Sequence, residues 1–321
     1  MKNLKGSFIL FTAAFFWGTT FVAQVSGSNH IGVFTYNASR CFVGFLFLLC
    51  VAWMKDRILS NKGERIKDRR KKHEKRELIE MKSGENGHQG QWPIKGGVLC
   101  GLILFLAMSA QQAGIALYPE DVAAAGRSGF LTAIYVVIVA VIVAIVGRRI
   151  PGLVLISVMG TVCGMYLLCM KGGFSGIYKG DILSIGCAFC FAGHILIVDK
   201  YRNTDSIKLS CIQFWVSGIL SLFMCLATEQ IIWKDILAAA GPILYAGILS
   251  SGVAYTLQMV GQKYAQPAVA SIVMSMESVI AVVAGAVVLN EVLTGREIIG
   301  CVIVFASVIL AQVPEFLKND G

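Results

Sequence analysis

Continuous apolar stretches, each about as long as a bilayer is thick, alternate with short polar turns along the whole chain. A helix rises 1.5 Å per residue, so roughly 20 apolar residues cross a hydrocarbon core about 30 Å thick. Charge-poor runs of that length predict ten transmembrane helices: Ser7 to Val25, Val33 to Trp53, Gly96 to Ala116, Val122 to Val146, Leu153 to Met170, Ile182 to Val198, Leu209 to Thr228, Ala240 to Gly261, Ala268 to Leu289 and Ile298 to Val313. Barrel strands would alternate polar with apolar positions, whereas these runs are apolar throughout, which selects helices. The first run follows Lys2 and Lys5 as in a secretory leader, yet no small-x-small cleavage site closes it, so it reads as a retained span. Pro93, Pro119, Pro151, Pro242, Pro267 and Pro314 fall at or beside predicted helix ends, where a missing N–H costs little. That placement argues against central helices broken at proline.

Composition agrees with a bilayer as solvent: 56% of the 321 residues are hydrophobic and 15% charged, with a mean hydropathy of +0.71. The formal charge of +9 is concentrated between the second and third predicted spans, where Arg65, Lys67, Arg69, Arg70, Lys71, Lys72, Lys75 and Arg76 cluster. The positive-inside rule assigns that loop, and with it both termini, to the cytoplasm. Lys171, Lys179, Lys234 and Arg296 remain on the other side. Glu64, Asp68, Glu74, Glu77 and Glu80 are interspersed in the loop, a composition suited to a short helix on the membrane surface. No folded nucleic-acid reader accompanies the charge, so nucleic acid is not an expected partner. The ten cysteines are spread through apolar runs as small packing residues. Cys187 and Cys190 form a CxxC without the further ligands that zinc requires, so no metal is expected.

An internal repeat underlies the pattern. GSFILFTAAFFWGTTF from Gly6 parallels GDILSIGCAFCFAGHI from Gly180, and the segments from Arg148 to Leu167 and from Glu291 to Leu310 also correspond. The predicted fold is an all-α membrane protein of ten transmembrane helices in two inverted five-helix repeats. Residues 1–171 form the first repeat, with a basic cytoplasmic loop over 55–93; residues 180–313 form the second, and 314–321 a C-terminal tail. An odd number of spans per half inverts the second copy, the architecture that underlies alternating access. Gly97 with Gly101, Gly160 with Gly164, and Ala281, Ala284, Gly285 and Ala286 are small residues at spacings that let helices approach closely.

Taken in order, AAFFWGTTFVAQ, TYNASRCFVG, LFLAMSAQQAGIALY, AAAGRSGFLTAIYVVIV, IQFWVSGILSL, ILSSGVAYTLQMVGQKYAQP and SMESVIAVVAGAVVLNEVLTGREIIGCVIVFASVILAQ give the chain its resemblance to a known family. The chain resembles the EamA-type transporters of the drug/metabolite transporter superfamily over nearly its whole length. The resemblance implies ten spans in two inverted repeats and transport of amino acids, other metabolites or drugs, without naming the substrate. Two departures stand out. The basic loop is longer than many relatives carry, and Arg148 with Arg149 occupies the place where the second half has Glu291 and many relatives repeat an acid.

Ionisable groups within lipid are costly and mark pathways, relays or ion pairs. Glu277, in the ninth span, is the deepest carboxylate and a candidate for proton coupling or for holding a substrate ammonium. Arg127 can grip a carboxylate or phosphate through a bidentate fork, and Arg40 lies two turns into the second span. The resemblance places an arginine commonly at the position of Arg40 and a basic residue often at that of Arg127. His194 is a candidate proton shuttle. Gln111, Gln213 and Gln258, with Trp17 and Tyr135, supply the amides and aromatic walls of a pocket for a modest organic solute. No Walker loop, HExxH or nucleophile elbow is present, which disfavours an ATP-driven pump and an intramembrane enzyme, and no cofactor is expected. The expected activity is secondary transport, as exporter or importer, of small metabolites, with amino-acid-like solutes or drugs as candidates. The lipid bilayer, a small-molecule substrate and H+ are its partners. The expected location is a bacterial plasma membrane, multi-pass, with cytoplasmic termini. The rival expectation is a membrane receptor or scaffold that uses the basic cytoplasmic loop.

Overall fold

A computed structural model describes residues 2–28, 30–73, 92–119, 124–170, 177–289 and 294–314, and every regular element among them is helical. We number the principal helices α1 (Lys2–Ser28), α2 (Val33–His73), α3 (Ile94–Ala116), α4 (Ala124–Ala133 and Tyr135–Ile145), α5 (Gly152–Cys169), α6 (Lys179–Lys200), α7 (Ser206–Thr228), α8 (Ala240–Gly261), α9 (Pro267–Met274 and Met276–Leu289) and α10 (Gly295–Leu310). A short helix, Trp233–Ala238, joins α7 to α8. Among the described residues, nine helices are long and apolar enough to cross a bilayer. The remaining one, α10, has 16 residues and spans about 24 Å, a few ångströms short of the hydrocarbon core.

The helix ends follow local chemistry. Pro93 and Pro151 directly precede α3 and α5, and Pro267 opens α9, positions where proline removes no intrahelical bond. The Asp205 side chain accepts from the N–H groups of Ile207 and Lys208 at the start of α7. Thr294 and Glu297 form a reciprocal capping box on α10. The basic segment after Trp53 is not a separate surface helix as far as His73: it continues α2. Lys, Arg and Glu favour helix, and no proline interrupts the chain between Val33 and Trp92. Lys75, Arg76, Glu74, Glu77 and Glu80, together with Lys171, Glu291 and residues 315–321, lie outside the described residues.

Large apolar side chains such as Phe8, Leu46, Leu106, Phe189, Phe223 and Phe305 are exposed on the outside of the bundle. Buried polar residues, including Asn37, Gln111, Gln112, Gln213, Ser217 and Gln258, populate its interior. A bilayer rewards this distribution, because lipid solvates the apolar rim and internal partners or water must satisfy the polar groups. An apolar core built from α4, α5, α6, α9 and α10 centres on Val136, Val139, Ile272 and Val304.

Pairing follows a regular scheme. α2 packs along α7, and α5 along α10. α3 lies against α6 and α7, as α8 lies against α1 and α2; α1 meets α9, as α6 meets α4. Each contact recurs when the helix number shifts by five. Glycines permit the closest approaches: a Cβ on Gly6 would meet the Gly261 carbonyl at 3.1 Å, and one on Gly180 the Gly114 carbonyl at 2.7 Å. Those are the two glycines that lead the repeated segments. Between α5 and α10, a Cβ on Gly164 would sit 2.9 Å from the Gly300 carbonyl, and one on Gly300 would sit 2.6 Å from the Gly164 carbonyl.

Three helices change winding midway, none of them at a proline. α4 breaks at Ile134, α9 at Ser275, and α8 adopts π geometry over Ala246–Ala254. At the first two breaks the backbone shortens to i−3 bonds, from Ile134 N to the Leu131 carbonyl and from Ser278 N to the Ser275 carbonyl. Around Ser275, the hydroxyls of Ser271 and Ser275 donate to the carbonyls of Ala268 and Ile272 and so compete with the helix ladder. Serine chemistry thus supplies at α9 the interruption that the proline pattern argued against.

Candidate functional site

A cavity opens at the centre of the bundle, with about 550 Å³ of empty space including the part that is open to solvent. α1 lines it with Trp17, Thr20, Phe21 and Gln24, the i, i+3, i+4, i+7 face of one helix. Arg40 of α2, Gln111 of α3, Tyr135 of α4, and Phe191 and Ile195 of α6 form further walls. Ser250, Tyr255 and Gln258 of α8 and Met274 and Glu277 of α9 complete it. All three interruptions border this space. Tyr135 follows the break at Ile134, Met274 and Glu277 flank the one at Ser275, and Ser250 lies in the π segment. Irregular backbone at membrane depth is tolerated where protein or a polar cavity satisfies it.

The lining is held from behind. The Glu229 carboxylate accepts from the N–H groups of Phe34 and Thr35, both at 2.8 Å, and from the Thr35 hydroxyl at 2.7 Å, which sets the rotation of α2 about its axis. Arg40 lies seven residues into that helix, about 10 Å from its start. Its side chain is 3% exposed and packs over the Tyr36 ring at 5.5 Å, and its Nε has no hydrogen-bond partner. Glu277 is half-buried, and its backbone approaches α1 at Gly18, where a Cβ would lie 2.6 Å from the Glu277 carbonyl oxygen. Among the described residues, Arg40 and Glu277 form no ion pair with each other or with any other group. Trp17 stands edge-on to Tyr255 at 4.8 Å. Trp17 Nε1 and Gln258 Oε1 are buried without partners.

Of the candidate residues, Trp17, Gln111, Tyr135, Gln258 and Glu277 come together in this cavity. Arg127, Gln213 and His194 do not line it. Arg127 holds Asp181 in a buried two-pronged ion pair, Nε to Oδ1 at 2.6 Å and Nη2 to Oδ2 at 2.7 Å. Tyr118 O–H donates to the same carboxylate at 2.8 Å, the Tyr178 N–H donates at 3.0 Å, and the Tyr178 ring lies 4.7 Å from the guanidinium. This cluster fastens the start of α4 to the start of α6 and the end of α3. His194 Nε2 and Gln213 Oε1 are 3.0 Å apart, fully buried, one layer behind the cavity where His194 meets the edge of Tyr255.

The sequence reading left Asp181 unremarked and Arg40 outside the chosen site. An acid two residues beyond Lys179 at the start of an apolar run was the available sign for Asp181. Nothing local in the sequence distinguishes Arg40 from Arg127, because only the fold decides which arginine meets an acid. Further ion pairs stand away from the cavity, Lys55–Asp205 at 2.6 Å, Lys208–Asp56 at 2.9 Å and Arg148–Asp199 at 2.8 Å. Burial pushes the Asp205 carboxyl up, but the Lys55 ammonium and the two backbone N–H groups outweigh it and hold the group below the usual carboxylate range. Among the described residues, no cluster of three or more His, Cys, Asp or Glu side chains offers a metal site.

Comparison with known proteins adds three findings. The EamA-like transporter family matches residues 4–170 and again 178–312. An "Uncharacterized transporter" of Archaeoglobus fulgidus is 26% identical over 320 residues, covering 97% of this chain and 87% of that protein, and a second of the same description is 24% identical over 144 residues, covering 44% of this chain and 50% of that protein. A solved structure, "Crystal structure of protein", superposes with a TM-score of 0.72 at 15% identity, covering 96% of this chain and 98% of that one; this likeness concerns the fold alone.

Proposed function

The chain belongs to the EamA-like transporter family and is a multi-pass membrane transporter, not an enzyme, and we propose that it moves small metabolites by alternating access around the central cavity. The observation that carries this reading is the cavity itself. Its walls come from both halves of the chain, and each interrupted helix places its irregular turn there. Such turns are where a packed helix bends most readily, so halves that rock about them would expose the lining to one side and then the other.

Ten spans in two inverted five-helix repeats, residues 1–171 and 180–313 with a tail over 314–321, are part of the proposal. The pairing that recurs with a shift of five helices and the matched glycine contacts of Gly6 and Gly180 support it. The basic residues between α2 and α3 support cytoplasmic termini in a bacterial plasma membrane. Amide and aromatic walls such as these suit amino-acid-like solutes and drugs. Coupling to H+ would act through Glu277, the carboxylic acid on its wall. The test is counterflow: proteoliposomes preloaded with unlabelled amino acids take up the labelled solute transiently against its gradient. Correctly inserted protein that moves none of a broad metabolite panel would overturn the reading. Uptake that stays proton-coupled in Glu277→Gln would move the coupling elsewhere.

A further inference from the structure

The Arg127–Asp181 cluster lies beyond the cavity on three of the helices that line it. Along α3, α4 and α6, Tyr118, Arg127 and Asp181 are displaced from Gln111, Tyr135 and Phe191 by about 10–15 Å. There the adjoining ends of α3 and α4 are fastened to the start of α6 by the two-pronged ion pair, by the Tyr118 hydroxyl, and by the Ser128 and Ser184 hydroxyls, 3.0 Å apart. Tyr118 and Tyr178 meet edge to face at 6.0 Å beside it.

A shift by five helices maps this junction onto α8, α9 and α1 at the opposite end of the bundle, and there the charges do not recur. Gly6 and Gly180 correspond, so Ser7 stands where Asp181 does; counted back from the breaks at Ser275 and Ile134, Ala268 stands where Arg127 does. Tyr264 backs Gly6 as Tyr118 backs Gly180. The Ser7 hydroxyl is buried without a partner, and the first part of α9, Pro267–Met274, carries no charged residue. The polar contacts at this end are exposed: Lys5 lies 5.8 Å from the Tyr264 ring, and Lys263 donates to the Thr204 carbonyl at 2.9 Å. Among the described residues, no ion pair joins α1 to α8 or α9.

We propose that the Arg127–Asp181 pair is a one-sided latch: it keeps the ends of α3 and α4 docked on α6, so that the empty carrier rests with this end shut and opens where α8 and α9 meet α1. This rests on the rocking of two halves proposed above. Two repeats with matching contacts would hold both ends equally. Parting Arg127 from Asp181 strands two buried charges, whereas parting α8 and α9 from α1 exposes one hydroxyl and apolar surface, so the balance between the two states is skewed. With cytoplasmic termini, the latched end faces outward. The resting carrier then receives its solute from the cytoplasm.

The test uses the full-length protein in detergent and needs no known solute. Ser184→Cys and Ser7→Cys place one thiol behind each junction, and their modification by N-ethylmaleimide is followed residue by residue with peptide mass spectrometry. The buried native Cys100 and Cys211 report general unfolding. In otherwise native protein, Ser7→Cys should react at least about tenfold faster than Ser184→Cys. With Arg127→Met and Asp181→Leu together, Ser184→Cys should gain at least about tenfold while Ser7→Cys slows, because opening one end closes the other. Arg127→Lys keeps the charge and should leave Ser184→Cys slow. Equal rates at the two ends of the native protein, a double variant that changes neither rate or raises both, or a gain shared by Cys100 and Cys211 overturns the proposal. Labelling and transport are read separately. A reciprocal change in labelling without counterflow of any solute sinks the transporter mechanism and keeps the latch, whereas counterflow by a protein whose ends label alike does the reverse.

Discussion

Replacing Arg127 with methionine should destabilise the protein by about 3–5 kcal/mol, because it strands the Asp181 carboxylate among buried neighbours. The two side chains are 7% and 8% exposed, with 2.6 Å between Nε and Oδ1. At an effective dielectric of 20, opposite charges at that separation attract by ~6 kcal/mol. Taking both ions out of water costs several kcal/mol each, so the intact pair contributes little net stability over an apolar replacement. Removing one member is different, since the desolvation of the other remains without its compensation. Asp181 would keep only the Tyr118 hydroxyl and the Tyr178 N–H as donors. The double variant Arg127→Met with Asp181→Leu should therefore recover most of what Arg127→Met loses, with a coupling energy of about 2–4 kcal/mol. A thiol-reactive fluorogenic dye during thermal unfolding reads this directly, as Cys41, Cys100, Cys169, Cys187, Cys211 and Cys225 are buried and free. A single variant that unfolds within a degree of the parent, or a double variant worse than the sum of the singles, would refute the electrostatic argument. Loss of solute binding at unchanged stability would instead return Arg127 to the substrate site.

Other consequences follow from the packing and the caps. Gly300→Ala puts a methyl 2.6 Å from the Gly164 carbonyl, a backbone atom that cannot swing away, and should cost about 1–3 kcal/mol, whereas Gly186→Ala, with nothing within 4 Å, should be neutral in the same unfolding assay. His194→Leu removes the partner of Gln213 in a closed environment and should cost roughly 1–3 kcal/mol; since His194 also backs Tyr255, solute affinity should fall as well, as equilibrium dialysis would reveal. Asp205→Ala deletes an N-cap and an ion pair and should cost about 1–2 kcal/mol at neutral pH. Because the Asp205 carboxyl is held below its ordinary range, its contribution is complete above that range and fades as pH falls through the lowered value. The gap in unfolding temperature between parent and Asp205→Ala should thus be constant near neutrality and close in acid; a gap that widens in acid would contradict the sign.

Much of this architecture is written locally in the chain. Run length and the absence of charge decide that a segment crosses a bilayer, and both are properties of twenty consecutive residues. Prolines and capping residues place helix ends for the same reason, as Pro93, Pro151 and Pro267 do. Gly6 and Gly180 could be aligned as repeat landmarks before their contacts were known, because a close helix approach demands the same small residue in both halves. α2 runs on to His73, beyond the span that hydropathy marks, because hydropathy reports where lipid stops and not where a Lys- and Glu-rich helix stops.

What surrounds a charge is another matter. Arg40, Arg127, Glu277 and Asp181 are four ionisable residues in apolar runs, and hydropathy treats them alike. Tertiary structure separated them: Arg127 meets Asp181 from 54 residues away, while Arg40 and Glu277 face one cavity unpaired. The break at Ile134 and the π turn in α8 were equally hidden, since a few shifted backbone bonds leave no compositional mark, whereas the break at Ser275 has its serines as a local cause. Membrane insertion depends on the free energy of each segment taken by itself, so sequence alone determined that this is a polytopic helical protein. A binding site depends on which side chains from distant segments are left without partners once the helices have packed, and only the tertiary structure decided that.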